Sequence, residues 1–107
     1  MAAFDDRRHG FEAKFAHDED LRFKAMSRRN RLLGMWAAEK LGRAGEDAEA
    51  YAREVVRADF EEAGDRDVFR KIRRDFDAAG VQVSDQQIDQ AMHDMLARAI
   101  ADIEASR

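Results

Sequence analysis

Residues 1–42, MAAFDDRRHGFEAKFAHDEDLRFKAMSRRNRLLGMWAAEKLG, hold no proline and only two interior glycines, Gly10 and Gly34. The phenylalanines Phe4, Phe11 and Phe15 are spaced seven and four apart. At about 100° per residue this places them on one helical face, and Met26, Leu33, Trp36 and Ala37 fall in the same sector. The pattern predicts one long helix from about Asp5, or from about His17 if its start frays, to Leu41, with Gly42 as its C-terminal stop. Periodicity leaves two readings of the first phenylalanines open. They either cap the chain's own core or wait for another protein, since their neighbours are strongly solvated charges at a chain terminus.

Working outward, glycine divides the rest of the chain. A second helix is expected after Gly42-Arg43-Ala44-Gly45, with Tyr51, Ala52, Val55, Val56 and Ala63 inward and Gly64 closing it. Asp65 reads as the N-cap of a third helix. Val68, Phe69, Ile72, Phe76 and Ala79 form its buried stripe, and Gly80 ends it. Val81 and Val83 have no strand to pair with, so they are expected to tuck over a bundle end. Ser84 and Gln87 have the spacing of a capping box for the last helix. That helix carries Ile88, Met92, Met95, Leu96, Ala99 and Ile103. The expected fold class is all-α, a four-helix bundle with a long N-terminal helix whose first part is a candidate for flexibility.

Composition agrees. A chain of 107 residues supports one modest core, and a charged fraction of 39% is well above the usual quarter, as solvated helices require. The absence of cysteine removes disulfides, thiolate metal sites and cysteine nucleophiles. No secretory leader and no apolar run of membrane-spanning length is present. Nucleotide-loop, dinucleotide, serine-hydrolase and zinc-protease motifs are all missing. His9 and His17 are eight apart, a poor spacing for one metal shell. Neither catalysis nor a metal is expected.

Charge is unevenly spread. Arg22, Lys24, Arg28, Arg29 and Arg31 make a basic stretch, the second helix and its exit are acidic, and Arg70, Lys71, Arg73 and Arg74 make a second basic cluster. The simplest expectation is that basic and acidic helices lie side by side. A net charge of -4 and the lack of any recognition signature argue against a nucleic-acid partner. Direct membrane insertion is not expected either, because Leu32, Leu33, Met35 and Trp36 are needed to close the bundle.

Several stretches together resemble one family: FDDR (4–7), EAKFAHD (12–18), FKA (23–25), RRNRLLGMWAAE (28–39), YAREVV (51–56), ADFEEAG (58–64) and DVFRK (67–71). The sequence is similar to the zeta inhibitor subunit of the alphaproteobacterial F-type ATP synthase. The likeness is collinear through about Lys71 and loosens beyond Phe76, so the last helix is assigned packing alone. It implies a four-helix protein, residues 18–107, preceded by an inhibitory segment, residues 1–17. That segment would insert between a catalytic and a non-catalytic subunit of the synthase head and block rotation in the hydrolytic direction. Its partners would be the alpha, beta and gamma subunits, reached from the cytoplasm at the inner membrane.

On this reading Phe4, Phe11 and Phe15 anchor the segment, and Asp5, Asp6, Arg7, Arg8, Glu12 and Lys14 set its register. Arg22, Lys24, Arg28, Arg29 and Arg31 are a candidate second contact with the partner; pairing with the acidic helix is the alternative. No cofactor is expected, but a regulator of an ATP-driven motor is a candidate nucleotide sensor. A groove lined by Arg70, Lys71, Arg73 or Arg74, with Trp36 or Tyr51, would take ADP or ATP weakly. The alternative function is a helical adaptor or nucleotide-sensing domain for another protein.

Overall fold

The computed structural model describes residues 19–59 and 66–106, which form four helices and no strand. They are α1 (Glu19–Lys40), α2 (Gly45–Ala58), α3 (Arg66–Ala79) and α4 (Asp85–Ala105). Expectations for Phe4, Phe11, Phe15 and the rest of residues 1–17, for the division of the chain at that point, and for Ala63, Gly64 and Asp65 lie outside the described residues.

α1 is the hub of the bundle and packs along both α2 and α4, while α3 bridges α2 and α4. Its buried positions are Ala25, Arg29, Asn30, Leu33, Gly34, Ala37 and Ala38, a double stripe at three and four spacing. The helix opens on Glu19 and Asp20 and closes on Lys40, each with the sign that complements the macrodipole. It stops where Gly42 takes φ 78°, which turns the Gly42 N–H onto Glu39 O and the Arg43 N–H onto Ala38 O at 3.1 and 2.9 Å. This Schellman closure needs a left-handed residue, and glycine occupies it without a Cβ penalty.

The second and third helices supply most of the core. Tyr51, Ala52 and Val55 are buried as expected and Val56 is half-buried. α2 ends at Ala58, short of the expected Gly64, where the Asp59 N–H turns back to Val56 O and Arg57 O. The acidic run from Asp59 is badly placed for continuation, because carboxylates oppose the negative end of a helix. On α3, Val68, Ile72 and Phe76 are fully buried at spacings of four, and Phe69 is half-buried. Ala79, expected inward, is exposed in the last turn, where the chain already swings away into Gly80.

The α3–α4 connection follows the sequence closely. Gly80 (φ 70°) repeats the closure of α1, with Val81 N–H on Phe76 O at 2.9 Å. Val83 is buried and Val81 packs against the core, so both valines cover the bundle end. Ser84 Oγ accepts from the Gln87 N–H at 3.1 Å and Gln87 Oε1 accepts from the Ser84 N–H at 2.8 Å, a complete capping box. Ile88, Met92 and Ala99 then face inward, with Met95, Leu96 and Ile103 half-buried.

Candidate functional site

The basic stretch of α1 does not act as one surface. Arg22 and Lys24 are exposed. Arg28 reaches Asp102 of α4 at 2.9 Å and Arg31 reaches Glu49 of α2 at 3.0 Å. Side-by-side pairing with the acidic helix therefore holds for Arg31, while Arg28 turns to the last helix instead. Arg29 is the correction: it is 1% exposed, and its Nε donates to Asn30 Oδ1 at 2.9 Å. Four residues after Ala25 and four before Leu33, it lies on the inward stripe, so its guanidinium is not presented to a partner.

The residues expected to line a nucleotide groove are also divided. Arg73 points to the α3–α4 connection, where it bonds Asp77, Asp85 and Val83 O at 2.8, 3.0 and 2.6 Å. Hydrogen bonds to Asp85 and Asp77 push its pKa further above the usual arginine value, so it stays charged as a clasp between helices. Trp36 packs edge-on against Phe76, with ring centroids 5.8 Å apart. Tyr51 is buried with its hydroxyl donating to Asp75 at 2.8 Å. Burial and the Asp75 carboxylate raise its phenol well above the ordinary value. Neither ring lines a groove together with Arg70, Lys71 and Arg74, which corrects the expectation that Trp36 or Tyr51 would.

What does converge is a cleft of ≈ 400 Å³ between α2 and α3, lined by Glu54, Arg57, Ala58, Asp67, Arg70, Lys71 and Arg74. Four cations stand there against two carboxylates. Lys71 is held by Glu54 at 3.2 Å and Asp75 at 3.0 Å, and Arg70 is paired with Asp67 Oδ1. Arg57 from α2 and Arg74 from α3 make no ion pair among the described residues. Arg57 was missed in the sequence because it stands in a helix read as acidic. Asp67 was missed too, having been counted with the acidic run. Its side chain is 5% exposed and its Oδ2 has no hydrogen-bond partner among the described residues, a state that costs on the order of 1–3 kcal/mol.

A family model described as ATPase inhibitor subunit zeta matches residues 1–102. The chain belongs to the ATPase inhibitor subunit zeta family. A chain solved by NMR in solution is similar to it at 42% identity with a TM-score of 0.73, over 81% of this chain and 99% of that one. No curated protein matches. As a zeta inhibitor the chain is a regulatory protein, not an enzyme, and acts on an ATP synthase. No described helix is long and apolar enough to cross a membrane. The match to the zeta family begins at residue 1, ahead of α1, and so takes in all of residues 1–17.

Proposed function

We propose that this zeta-family chain inhibits ATP hydrolysis by inserting residues 1–17 between a catalytic and a non-catalytic subunit of an F-type ATP synthase head, where they block the rotor. The observation that carries the reading is the extent of the family match, which spans these residues as well as the bundle. Their chemistry supports it. Phe4, Phe11 and Phe15 supply aromatic anchors, and Arg7, Arg8 and Lys14 with Asp5, Asp6 and Glu12 supply orienting charges, a composition common at interface hot spots. The alpha, beta and gamma subunits are the proposed contacts, met at the cytoplasmic face of the inner membrane. The exposed Arg22 and Lys24 extend the contact surface along α1.

The test is a deletion. Every residue of the described core lies at or beyond Ala25, so removing residues 1–17 is expected to leave the helical circular dichroism of the bundle in place. Inhibition of ATP hydrolysis by the isolated head complex should disappear. Full inhibition by the truncated chain would sink the insertion reading.

A second reading has its own support: the α2–α3 cleft is a weak site for ADP or ATP. Arg57 and Arg74, which make no ion pair among the described residues, line one cleft with Arg70 and Lys71 in a chain of net charge -4. Such a concentration of donors suits phosphate oxygens. Localised amide shifts around Arg57 and Arg74 on titration with ADP are the expected result, and their absence would remove the site.

A further inference from the structure

Among the described residues Phe23 is the one large apolar side chain left exposed, at 59%. Its register explains why. Phe23, Asn30 and Gly34 are seven and four apart, so they share the flank of α1 that packs on α2 where Gly34 meets Ala52. α2 ends at Ala58, so this flank of α1 outruns the helix that covers it, and Phe23 overhangs the end of α2. With the half-buried Met26 it lines a shallow cleft of ≈ 440 Å³ whose other walls are Glu19, Asp20, Arg22 and Asp59. The cleft is apolar at its centre and acidic at its rim, with three carboxylates against one guanidinium. It lies beside Glu19, where residues 1–18 join the bundle.

We propose that this cleft is a docking point on the bundle for the subunit of the synthase head that takes up residues 1–17, and that Phe23 enters an apolar socket of that subunit whose basic side chains face Glu19, Asp20 and Asp59. This rests on the insertion reading given above. Position selects the occupant. In the continuous helix that the sequence pattern predicts, Met26 shares the sector of Phe4, Phe11 and Phe15, and Phe23 stands about 60° to one side of it. A surface that receives those phenylalanines therefore meets the cleft next. Charge selects its chemistry, because a rim of three carboxylates favours a cationic surround and repels an acidic one. An aromatic side chain ringed by charged residues is also a common make-up of an interface hot spot. A contact here sets the angle and depth at which residues 1–17 enter, so Phe23 is a positioning residue.

The experiment places benzoylphenylalanine, a photo-crosslinking relative of phenylalanine, at position 23 of the full-length chain, with the exposed position 93 on α4 as the control. Illumination with the isolated head complex is expected to join position 23, and not position 93, to a head subunit. Phe23→Ser lies outside the core, so it should leave the melting temperature in place. It should raise the concentration needed for half-inhibition at least about tenfold, with a loss that persists at high salt. Asp59→Lys puts a cation at the end of α2, where the helix favours one, and should nevertheless weaken inhibition at low salt and not at high salt. A crosslink from position 23 to a second copy or to its own chain would overturn the docking point, as would equal crosslinking from position 93 or unchanged half-inhibition by Phe23→Ser. The insertion reading stands or falls separately. Inhibition lost on deleting residues 1–17 but untouched by Phe23→Ser would keep insertion and remove the docking point. A head crosslink from position 23, in a chain whose inhibition survives that deletion, would keep the docking point and remove insertion.

Discussion

Gly34 sets the distance between α1 and α2. A Cβ built there would stand 2.6 Å from Ala52 Cα, closer than atoms can approach. Alanine improves helix propensity over glycine by about 1 kcal/mol, but the clash is with backbone, and overpacking costs about 1–3 kcal/mol. Gly34→Ala should therefore lower the urea midpoint rather than raise it. The neighbouring arginines divide in the same physical terms. Arg28→Glu breaks an exposed pair and should cost less than about 1 kcal/mol. Arg29→Glu places a carboxylate where a guanidinium is buried and should cost on the order of 3–5 kcal/mol in the same denaturation assay. Within the run RRNR polarity hides which arginine turns inward, and only the spacing of Arg29 from Ala25 and Leu33 gives it. Tyr51 adds a pH dependence. Its phenol pKa is raised above the ordinary 10.0 by burial and by Asp75, so the neutral form is the one the fold stabilises. That stability is whole below pH 10 and falls as pH climbs beyond it. It is the chain's single tyrosine, so phenolate absorbance reads it directly and should appear only together with unfolding. Tyr51→Phe should flatten the alkaline loss.

The ends of helices were the most legible elements, because their chemistry is local. Gly42, Gly80 and the Ser84–Gln87 box each act within a few residues of themselves, and all three are found where spacing placed them. Ser84→Ala should remove about 1 kcal/mol of stability, read as a lower melting temperature. The end of α2 was less legible. Glycine at position 64 is a strong stop, but the acidic residues from Asp59 already disfavour the last turns, and a rule that looks only for glycine overshoots. Adjacent helices are also tied by pairs that sequence cannot assign: Arg28–Asp102, Arg31–Glu49, Arg66–Asp89 and Lys71–Glu54 each join two helices at 2.9 to 3.2 Å. Partner choice there follows from the crossing of helices, which no local spacing encodes.

Across the whole molecule, the fold was readable and the cleft was only half so. Apolar stripes fixed the four helices and most of the core, whereas the α2–α3 cleft gathers Arg57 with Arg70, Lys71 and Arg74 only once α2 and α3 pack together. Trp36 and Tyr51 were drawn into that site by residue type alone, and packing sent both elsewhere. For the proposed contact with the synthase, exposure selects Arg22 and Lys24. Reversing both to Glu should weaken inhibition of hydrolysis more at low salt than at high salt. An equal loss at both would count against an electrostatic contact.

The hub position of α1 has a mechanical side. Residues 1–18 are joined to the bundle at Glu19, the first residue of the one helix gripped along its length by two others. Load that enters along the axis of α1 is shared between both of its flanks, across the Gly34–Ala52 crossing and the Arg28–Asp102 tie at once.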